Sequence, residues 1–367
     1  MRHRPGRGDR ALTSPRLDRL LRIGQVAPPA ERVPPLGYGG TERVIDELAR
    51  ELARRGHDVV LFASGDSEAP GRHVATIPVS LRAADVGGDT SPWTTVTQLI
   101  ALRHQHELDI LHGHLDFHNL VLARAAEVPF VGTFHSRLDR PFAAAALEDP
   151  PAGLVAISRA QAGQHPEVPW AGVVHNGLSL KQMPFGRDRD DSLCFVGRIT
   201  PEKGVIEAIE IARTTGRPLR IAAKVPYLPW ERQYHDEVFV PALAGADVEM
   251  LGELGPVERD ALLASSHATL MPGEWPEPFG LTAIESLACG TPVICRPVGA
   301  LPEIVRDGVD GFTAPDVAGM AAAVERVGVL DRSKIRTSVV ERFSAERMAD
   351  GYEEVYARML SGAVTRT

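Results

Sequence analysis

Short apolar segments alternate with helical segments along nearly the whole chain, and this alternation limits the possible folds more than any other feature. In the first half the apolar segments cover 21–27, 58–64, 109–114, 129–135, 154–158 and 172–177. They lack strict apolar/polar alternation, which is typical of parallel strands covered by helices on both faces. Strands that alternate with helices in this way predict a parallel α/β sheet.

The stretch between the first two apolar segments shows the pattern of an amphipathic helix. One helical face collects the apolar side chains Val44, Ile45, Leu48 and Leu52. We expect Thr41 to cap the start of this helix and Gly56 to end it. The segment and its two flanking strands therefore form one β-α-β unit.

A second series of apolar segments follows a polar, charged stretch at 185–192, which is interpreted as a linker. This series covers 193–199, 218–225, 247–254, 268–273 and 291–297. A chain of 367 residues suits two domains. The sequence predicts an α/β protein with two doubly wound, Rossmann-like domains, 21–185 and 186–343, facing across a cleft. The active site is expected in this cleft, beyond the carboxyl ends of the strands.

Charge and composition exclude several classes of protein. The formal net charge is −8, whereas a nucleic-acid-binding protein normally has a basic face. No run of about 18 apolar residues is present, so no transmembrane segment is expected. The three cysteines, Cys194, Cys289 and Cys295, lie in apolar runs without metal-ligand spacing, which favours buried thiols and a cytoplasmic location.

The amino terminus is strongly basic. The first 22 residues include seven arginines and no apolar core of a signal peptide. Residues 1–20 are predicted to be a disordered basic tail. Peripheral contact with an anionic membrane is the less favoured alternative.

A glycine-rich stretch precedes the first long helix. Gly37, Gly39 and Gly40 would leave backbone N–H groups exposed at a helix N-terminus, which suits a phosphate group. The spacing does not match the G-x-G-x-x-G dinucleotide fingerprint, which excludes a dehydrogenase of the usual type. A surface loop is the alternative interpretation.

Two cations follow the first strand of the second series. Arg198 ends that strand and Lys203 lies five residues later, where Pro201 and Glu202 are expected to open a helix. Together they could neutralise a diphosphate in the cleft. A solvated pair of surface cations is the alternative.

Two acids surround a later strand-to-helix junction. A loop rich in proline places Glu277 at the helix entrance, whereas Glu285 falls in the second turn among apolar residues. An acid in an apolar helix needs a hydrogen-bonding partner. The adjacent hydroxyl groups of a ribose would provide two donors.

The stretch EPFGLTAIESLACGTPV resembles the E-x7-E motif of the retaining glycosyltransferases of family four, which adopt the GT-B fold and use nucleotide-sugar donors. The stretches GYGGTERV, HNG and FVGRITPEKG match further motifs of that family in the same order, and the resemblance extends over nearly the whole chain from residue 21.

The resemblance implies roles for individual residues. Glu285 looks like the acid that holds the donor ribose and Glu277 like the acid beside the transferred sugar. Arg198 and Lys203 are similar to the cations that bind the diphosphate and stabilise charge on the leaving nucleotide. The remaining donor-binding positions implied are Gly39 and Gly40 on the first domain, and the backbone N–H groups of Phe279, Gly280 and Leu281 on the second.

Histidines cluster near the third predicted strand of the first domain. His112, His114 and His118 do not form a plausible zinc set, because His118 lies past the strand end and no suitable carboxylate or cysteine completes it. By resemblance His114 is the catalytic histidine that faces the donor sugar. His135, at the end of the neighbouring strand, is expected to assist on the acceptor side.

The activity implied is transfer of a sugar from a nucleoside-diphosphate sugar to an acceptor hydroxyl, with retention of configuration and without a metal or other cofactor. The first domain would bind the acceptor and the second the donor, and residues 344–367 would return to pack on the first domain. A nucleotide-sugar 2-epimerase and a glycoside phosphorylase of the same fold stay open as alternatives. The stretch AAKVPYLPW, with Lys224 and Trp230, replaces a glycine-rich turn found in many relatives.

Overall fold

The computed structural model describes residues 17, 19–37, 39–186, 189–224, 226 and 228–362. Of the predicted tail at 1–20, only Leu17, Arg19 and Leu20 belong to the described residues. Residues 187 and 188 of the predicted linker also lie outside them.

Two parallel sheets form the framework of the protein. The first has the strand order β3-β2-β1-β4-β5-β6-β7 and comprises β1 (Arg22–Val26), β2 (Asp58–Ser64), β3 (Arg72–Ile77), β4 (Ile110–Gly113), β5 (Phe130–Phe134), β6 (Leu154–Ala156) and β7 (Gly172–Val173). The second has the order β10-β9-β8-β11-β12-β13 and comprises β8 (Leu193–Arg198), β9 (Leu219–Lys224), β10 (Val248–Gly252), β11 (Ala268–Met271), β12 (Val293–Cys295) and β13 (Gly311–Thr313). Both sheets reverse strand order beside their first strand, as doubly wound folds do, which confirms the predicted fold class.

Helices connect the strands within each sheet. Those of the first part of the chain are α1 (Gly40–Arg54), α2 (Ser91–His104), α3 (Asn119–Ala125), α4 (Ala143–Ala146) and α5 (Arg159–Ala162). The later helices are α6 (Val205–Thr215), α7 (Pro229–Tyr234), α8 (Val240–Ala242), α9 (Pro256–Ser265), α10 (Leu281–Ala288), α11 (Leu301–Ile304), α12 (Val317–Val324), α13 (Arg332–Phe343) and α14 (Ala345–Leu360). We call the first sheet with its helices the first lobe, and the second sheet with its helices the second lobe.

Helix α1 begins earlier than the sequence predicts. Gly39 is its N-cap and accepts a hydrogen bond from the Arg43 N–H at 3.1 Å, with no side chain capping the helix. The expectation that Thr41 caps this helix was therefore wrong. The apolar face of α1 is as predicted, since Val44, Leu48 and Leu52 are fully buried.

The sequence reading missed one edge strand in each sheet. Strand β3 is half-exposed and alternates weakly, and β13 has only three residues. An edge strand pairs on one side only, so it needs neither the length nor the apolar character of a central strand.

The chain returns to the first lobe at its carboxyl end. Ser344 caps α14 by accepting a hydrogen bond from the Arg347 N–H at 3.3 Å. Met348, Tyr352 and Tyr356 of this helix are buried in the same apolar cluster as the strand β1 and helix α1 side chains. The first lobe therefore has a core built from both ends of the chain.

The three cysteines are buried and unpaired with one another. Burial raises the pKa of the Cys289 and Cys295 thiols to about 12, so neither is a thiolate at neutral pH. Among the described residues, no helix combines the length and apolar character needed to cross a bilayer.

Candidate active site

A cavity of about 460 Å³ lies where the two lobes face each other. We call it the cleft. The first lobe contributes Glu31, Gly39, Gly40, Glu42, Arg43, Arg82, His135 and Asn176 to its lining, and the second contributes Arg198, Lys203, Lys224, Arg259, Trp275, Glu277, Phe279, Gly280, Leu281 and Glu285, among others. Of the residues predicted for the site, all but His114 line this one cavity.

Arg198 is the last residue of β8, so the strand itself delivers its side chain to the cleft. One of its terminal nitrogens, Nη2, lies 3.1 Å from Glu202 Oε1, and the other, Nη1, lies 3.5 Å from Glu231 Oε1. Its buried Nε has no hydrogen-bond partner among the described residues. The guanidinium is therefore held in place by two acids, and its Nε–H is unused.

Lys203 closes a short 3-10 turn, Pro201–Lys203, immediately before α6. Its Nζ donates to Glu277 Oε2 at 2.6 Å and lies 5.5 Å from the centre of the Trp275 ring. The turn packs tightly against the loop after β11, because a Cβ on Gly204 would lie 2.6 Å from the backbone nitrogen of Gly273. This packing brings Lys203 and Glu277 together from two separate strand-to-helix junctions.

Glu285 is 2% exposed in the second turn of α10. Its Oε1 lies 2.5 Å from Arg43 Nη1 of the first lobe and 3.2 Å from Arg259 Nη2 of the second. Burial acts to lower the pKa of Arg259, but the nearby carboxylates of Glu285 and Asp260 overcome it and raise that pKa. Two guanidinium groups thus compensate the buried acid. Neither arginine was predicted from the sequence to lie in the site.

The N-termini of α1 and α10 meet in the cleft. A Cβ on Gly40 would lie 3.2 Å from Leu281 Cδ1, so the small residue allows the close approach of the two lobes. Gly280 adopts φ 115° as the N-cap of α10, a conformation that favours glycine. Two helix N-termini therefore face the same space, which suits a phosphate-bearing ligand.

The two candidate histidines occupy different positions relative to the cleft. His114 is 1% exposed and does not line the cleft, whereas His135 does. His114 Nδ1 and His135 Nε2 are 2.9 Å apart, so His114 lies directly behind His135. Burial lowers the pKa of His114 well below its usual value, and it lowers the pKa of His135 to about 4 despite the opposing effect of Asp116.

The other two histidines of the predicted cluster do not join His114 in a metal site. Both ring nitrogens of His112 are engaged, Nδ1 with the Tyr356 hydroxyl and Nε2 with Thr133 Oγ1, each at 2.8 Å. No group of three or more potential metal ligands occurs within the described parts of the chain.

The first-lobe wall of the cleft is rich in hydrogen-bond acceptors. Burial, reinforced by Glu31, raises the pKa of Glu42 to about 7. Asn176 is 4% exposed, and its Oδ1 has no hydrogen-bond partner among the described residues. An acceptor of this kind at the cleft wall is available to a hydrogen-bond donor that enters the cleft. Asn176 belongs to the HNG stretch, a signal that the sequence argument quoted but did not assign to the site.

Direct contacts join the lobes beside the cleft. Ser158 Oγ donates to the Pro278 carbonyl oxygen at 2.7 Å. Glu303 of the second lobe accepts hydrogen bonds from the backbone N–H groups of Arg159 and Ala160 at 3.0 and 2.8 Å, and its carboxylate lies 2.9 Å from His175 Nε2. These hydrogen bonds join the two lobes beside the cleft.

Comparison with known proteins bears on both lobes. The family described as Glycosyltransferase Family 4 matches residues 38–181, and the family described as Glycosyl transferases group 1 matches residues 179–329. The glycogen synthase of Mycobacterium tuberculosis is 30% identical over 80% of this chain and 83% of its own length. The phosphatidyl-myo-inositol mannosyltransferase of Mycolicibacterium smegmatis is 26% identical over 88% of each chain.

Solved structures show the same architecture. AviGT4, a glycosyltransferase involved in avilamycin A biosynthesis, superposes with a TM-score of 0.71 at 25% identity over 93% of this chain and 98% of its own. Anabaena HepE in complex with UDP and glucose superposes with a TM-score of 0.67 at 19% identity, over 92% of this chain and 99% of its own. With both halves of the sequence matched and the two-lobed fold shared, the chain belongs to the family 4 glycosyltransferases and has the GT-B fold.

Proposed function

We propose that the protein transfers a sugar from a nucleoside-diphosphate sugar to an acceptor hydroxyl with retention of the anomeric configuration. One observation carries the proposal: Arg198, Lys203, Glu277 and Glu285 line a single cavity between the lobes. Two cations and two helix N-termini suit a diphosphate, and two acids suit the hydroxyl groups of a pentose and a hexose. HepE, which shares the fold, is known in complex with UDP-glucose.

The diphosphate would replace the acids that now pair with the two cations. Lys203 donates to Glu277 and Arg198 to Glu202, so each cation exchanges a carboxylate for a phosphate oxygen. As the bond to the sugar breaks, negative charge grows on the leaving diphosphate, and the fixed cations stabilise it. This assignment needs neither a metal nor an organic cofactor.

The ribose would bind at Glu285. Its carboxylate already holds Arg43 and Arg259, and a ribose that donates two hydroxyl hydrogens competes with Arg43 for Oε1. Displacement of Arg43 couples nucleotide binding to movement between the lobes, because Arg43 belongs to the first lobe. A closed cleft excludes water and thus limits hydrolysis of the donor.

Retention is explained best by attack from the face that the nucleotide leaves. The departing phosphate takes the proton of the acceptor hydroxyl, so Glu277 orients the sugar and is not a nucleophile. His114 was expected beside the sugar, but His135 is the histidine at the cleft wall and takes this place in the proposal. The acceptor hydroxyl would enter along the first lobe.

The proposal can be tested with a panel of nucleotide sugars. The melting temperature of the protein is measured with each of them, and those that bind are then assayed for turnover. The true donor should raise Tm in proportion to the logarithm of its concentration. Glu285→Ala should abolish the shift. A donor converted without any acceptor would indicate an epimerase, and strict dependence on inorganic phosphate would indicate a phosphorylase. No shift with any member would refute the proposal.

A further inference from the structure

A continuous chain of hydrogen bonds leads from the cleft into the first lobe. His135 Nε2 contacts His114 Nδ1 at 2.9 Å, and His114 Nε2 contacts Gln25 Oε1 at 2.7 Å. Gln25 Nε2 then donates to the Tyr356 hydroxyl at 3.2 Å, and that hydroxyl contacts His112 Nδ1 at 2.8 Å. The chain ends at Thr133 and Tyr352. It therefore runs from the cleft wall to the last helix, α14.

The orientation of the Gln25 amide fixes the donors and acceptors between Gln25 and His135. Since Oε1 can only accept, His114 must carry its proton on Nε2. His114 Nδ1 then accepts, so His135 must donate from Nε2. On the other side, the Gln25 N–H donates to the Tyr356 hydroxyl, which leaves the hydrogen of that hydroxyl available to His112 Nδ1.

The opposite arrangement requires the amide of Gln25 to turn over, and each donor between Gln25 and His135 then becomes an acceptor. In that arrangement His135 would carry its proton on Nδ1. The two arrangements present opposite hydrogen-bonding characters to the cleft, because Nδ1 of His135 has no hydrogen-bond partner among the described residues.

We propose that Tyr356 is a positioning residue, which through Gln25 and His114 holds His135 as the Nε2–H tautomer with its Nδ1 lone pair available to the cleft. His135 then accepts a hydrogen bond from a substrate hydroxyl and does not donate one. The tautomer is a property of the resting protein, but its use in turnover rests on the proposed glycosyl transfer.

The surroundings support neutral rings throughout the chain. Gln25, His112 and His114 are at most 1% exposed. Asp116, the acid nearest the outer histidine, is already engaged, since its Oδ1 accepts from the backbone N–H groups of His135 and Ser136 at 2.7 and 3.0 Å. A charged imidazolium in this interior would lack a dedicated counterion. The rings are therefore treated as neutral, and the two arrangements differ only in which ring nitrogen carries the proton.

Two matched variants of α14 separate positioning from packing. Tyr356→Phe removes the hydroxyl to which the Gln25 N–H donates. Tyr352→Phe removes the hydroxyl that contacts Thr133 at 2.9 Å, and Gln25 keeps its partner in that variant. Both side chains are fully buried in the same cluster. A general loss of stability should therefore affect the two variants alike.

The decisive measurement is long-range ¹H–¹⁵N correlation NMR on protein labelled at histidine, with His135 assigned by a His135→Asn variant. The wild type should show the Nε2–H form, Tyr356→Phe a mixture and Tyr352→Phe the wild-type form. For the sugar-transfer reaction, kcat should fall about fivefold in Tyr356→Phe with donor KM unchanged, the loss expected for one hydrogen bond.

A proton on Nδ1 of His135 in the wild type would overturn the inference, as would an unchanged tautomer in Tyr356→Phe. The resting-state spectrum needs no substrate. If no nucleotide sugar binds the wild type, the proposed function fails while the spectrum still decides the tautomer.

Discussion

Arg43 of the first lobe and Glu285 of the second form an ion pair across the cleft, with Nη1 2.5 Å from Oε1. Glu285 is 3% exposed at its side chain, and Arg259 shares the same oxygen from the other side at 3.2 Å. Removal of a buried acid that two guanidinium groups share leaves both cations without their partner, so Glu285 matters for the resting protein as well as for its proposed chemistry.

Glu285→Ala is expected to lower the free energy of unfolding by about 3 kcal/mol, because it leaves two partly buried cations without their shared carboxylate. Asp149→Ala is the control, since it removes an exposed carboxylate paired with the exposed Arg124 and should cost less than about 1 kcal/mol. Urea unfolding followed by circular dichroism measures both. Equal losses would show that Glu285 does not compensate the arginines.

Lys203→Met should lower kcat/KM for the true donor about 10- to 100-fold, the effect of losing about 1.5–3 kcal/mol from a hydrogen bond to a charged group. Lys181→Met is the matched control, because Lys181 also forms an ion pair, with Glu346 at 2.8 Å, but lies outside the cleft. Steady-state kinetics with saturating acceptor compares them. Similar activity in the two variants would contradict the diphosphate assignment.

The positions of Arg198, Lys203 and Glu277 could be predicted from sequence because each is fixed by a local signal. All three lie at strand-to-helix junctions, and parallel strands place such junctions at the same edge of a sheet. Most strands and the apolar face of α1 could be predicted for a similar reason. A parallel strand buried on both faces leaves a short continuous apolar run, and a helix buried on one face leaves a helical period.

The partners of Glu285 could not be predicted in this way. Arg43 reaches it from the other lobe and Arg259 from α9, so the contact depends on how separate elements pack and has no sequence spacing. The choice between His114 and His135 has the same origin. Both follow strand ends, and only the packing of β4 beside β5 and Gln25 turns one inward and leaves the other at the cleft.

Glu303→Gln should reduce stability most near neutral pH. Burial acts to raise the pKa of Glu303, but hydrogen bonds from His175, Ala160 and Arg159 outweigh it and the pKa is lowered. A lowered folded pKa contributes stability above the unfolded value of about 4.3 and loses it as pH falls through the folded value. The difference in free energy of unfolding between the variant and the wild type should therefore become smaller below about pH 4.3. Urea unfolding midpoints measured across this pH range test the prediction, with substitution of the exposed Glu249 by glutamine as the control. A stability difference that does not change with pH would contradict it.

Glu42→Gln should show the opposite dependence. Burial raises the pKa of Glu42 to about 7, so the folded protein binds this proton more tightly than the unfolded chain does. The wild type then loses stability as pH rises from about 4.5 to about 7, because the carboxyl group must ionise inside the first-lobe wall. Glutamine cannot ionise, so the free energy of unfolding of the variant should rise relative to that of the wild type over this pH interval, by at most about 3 kcal/mol. At higher pH the difference should stay constant. Thermal or urea unfolding at several pH values, again with Glu249→Gln, tests this. A gain that shrank as pH rose would show that Glu42 is ionised in the folded protein, with a partner that stabilises its charge.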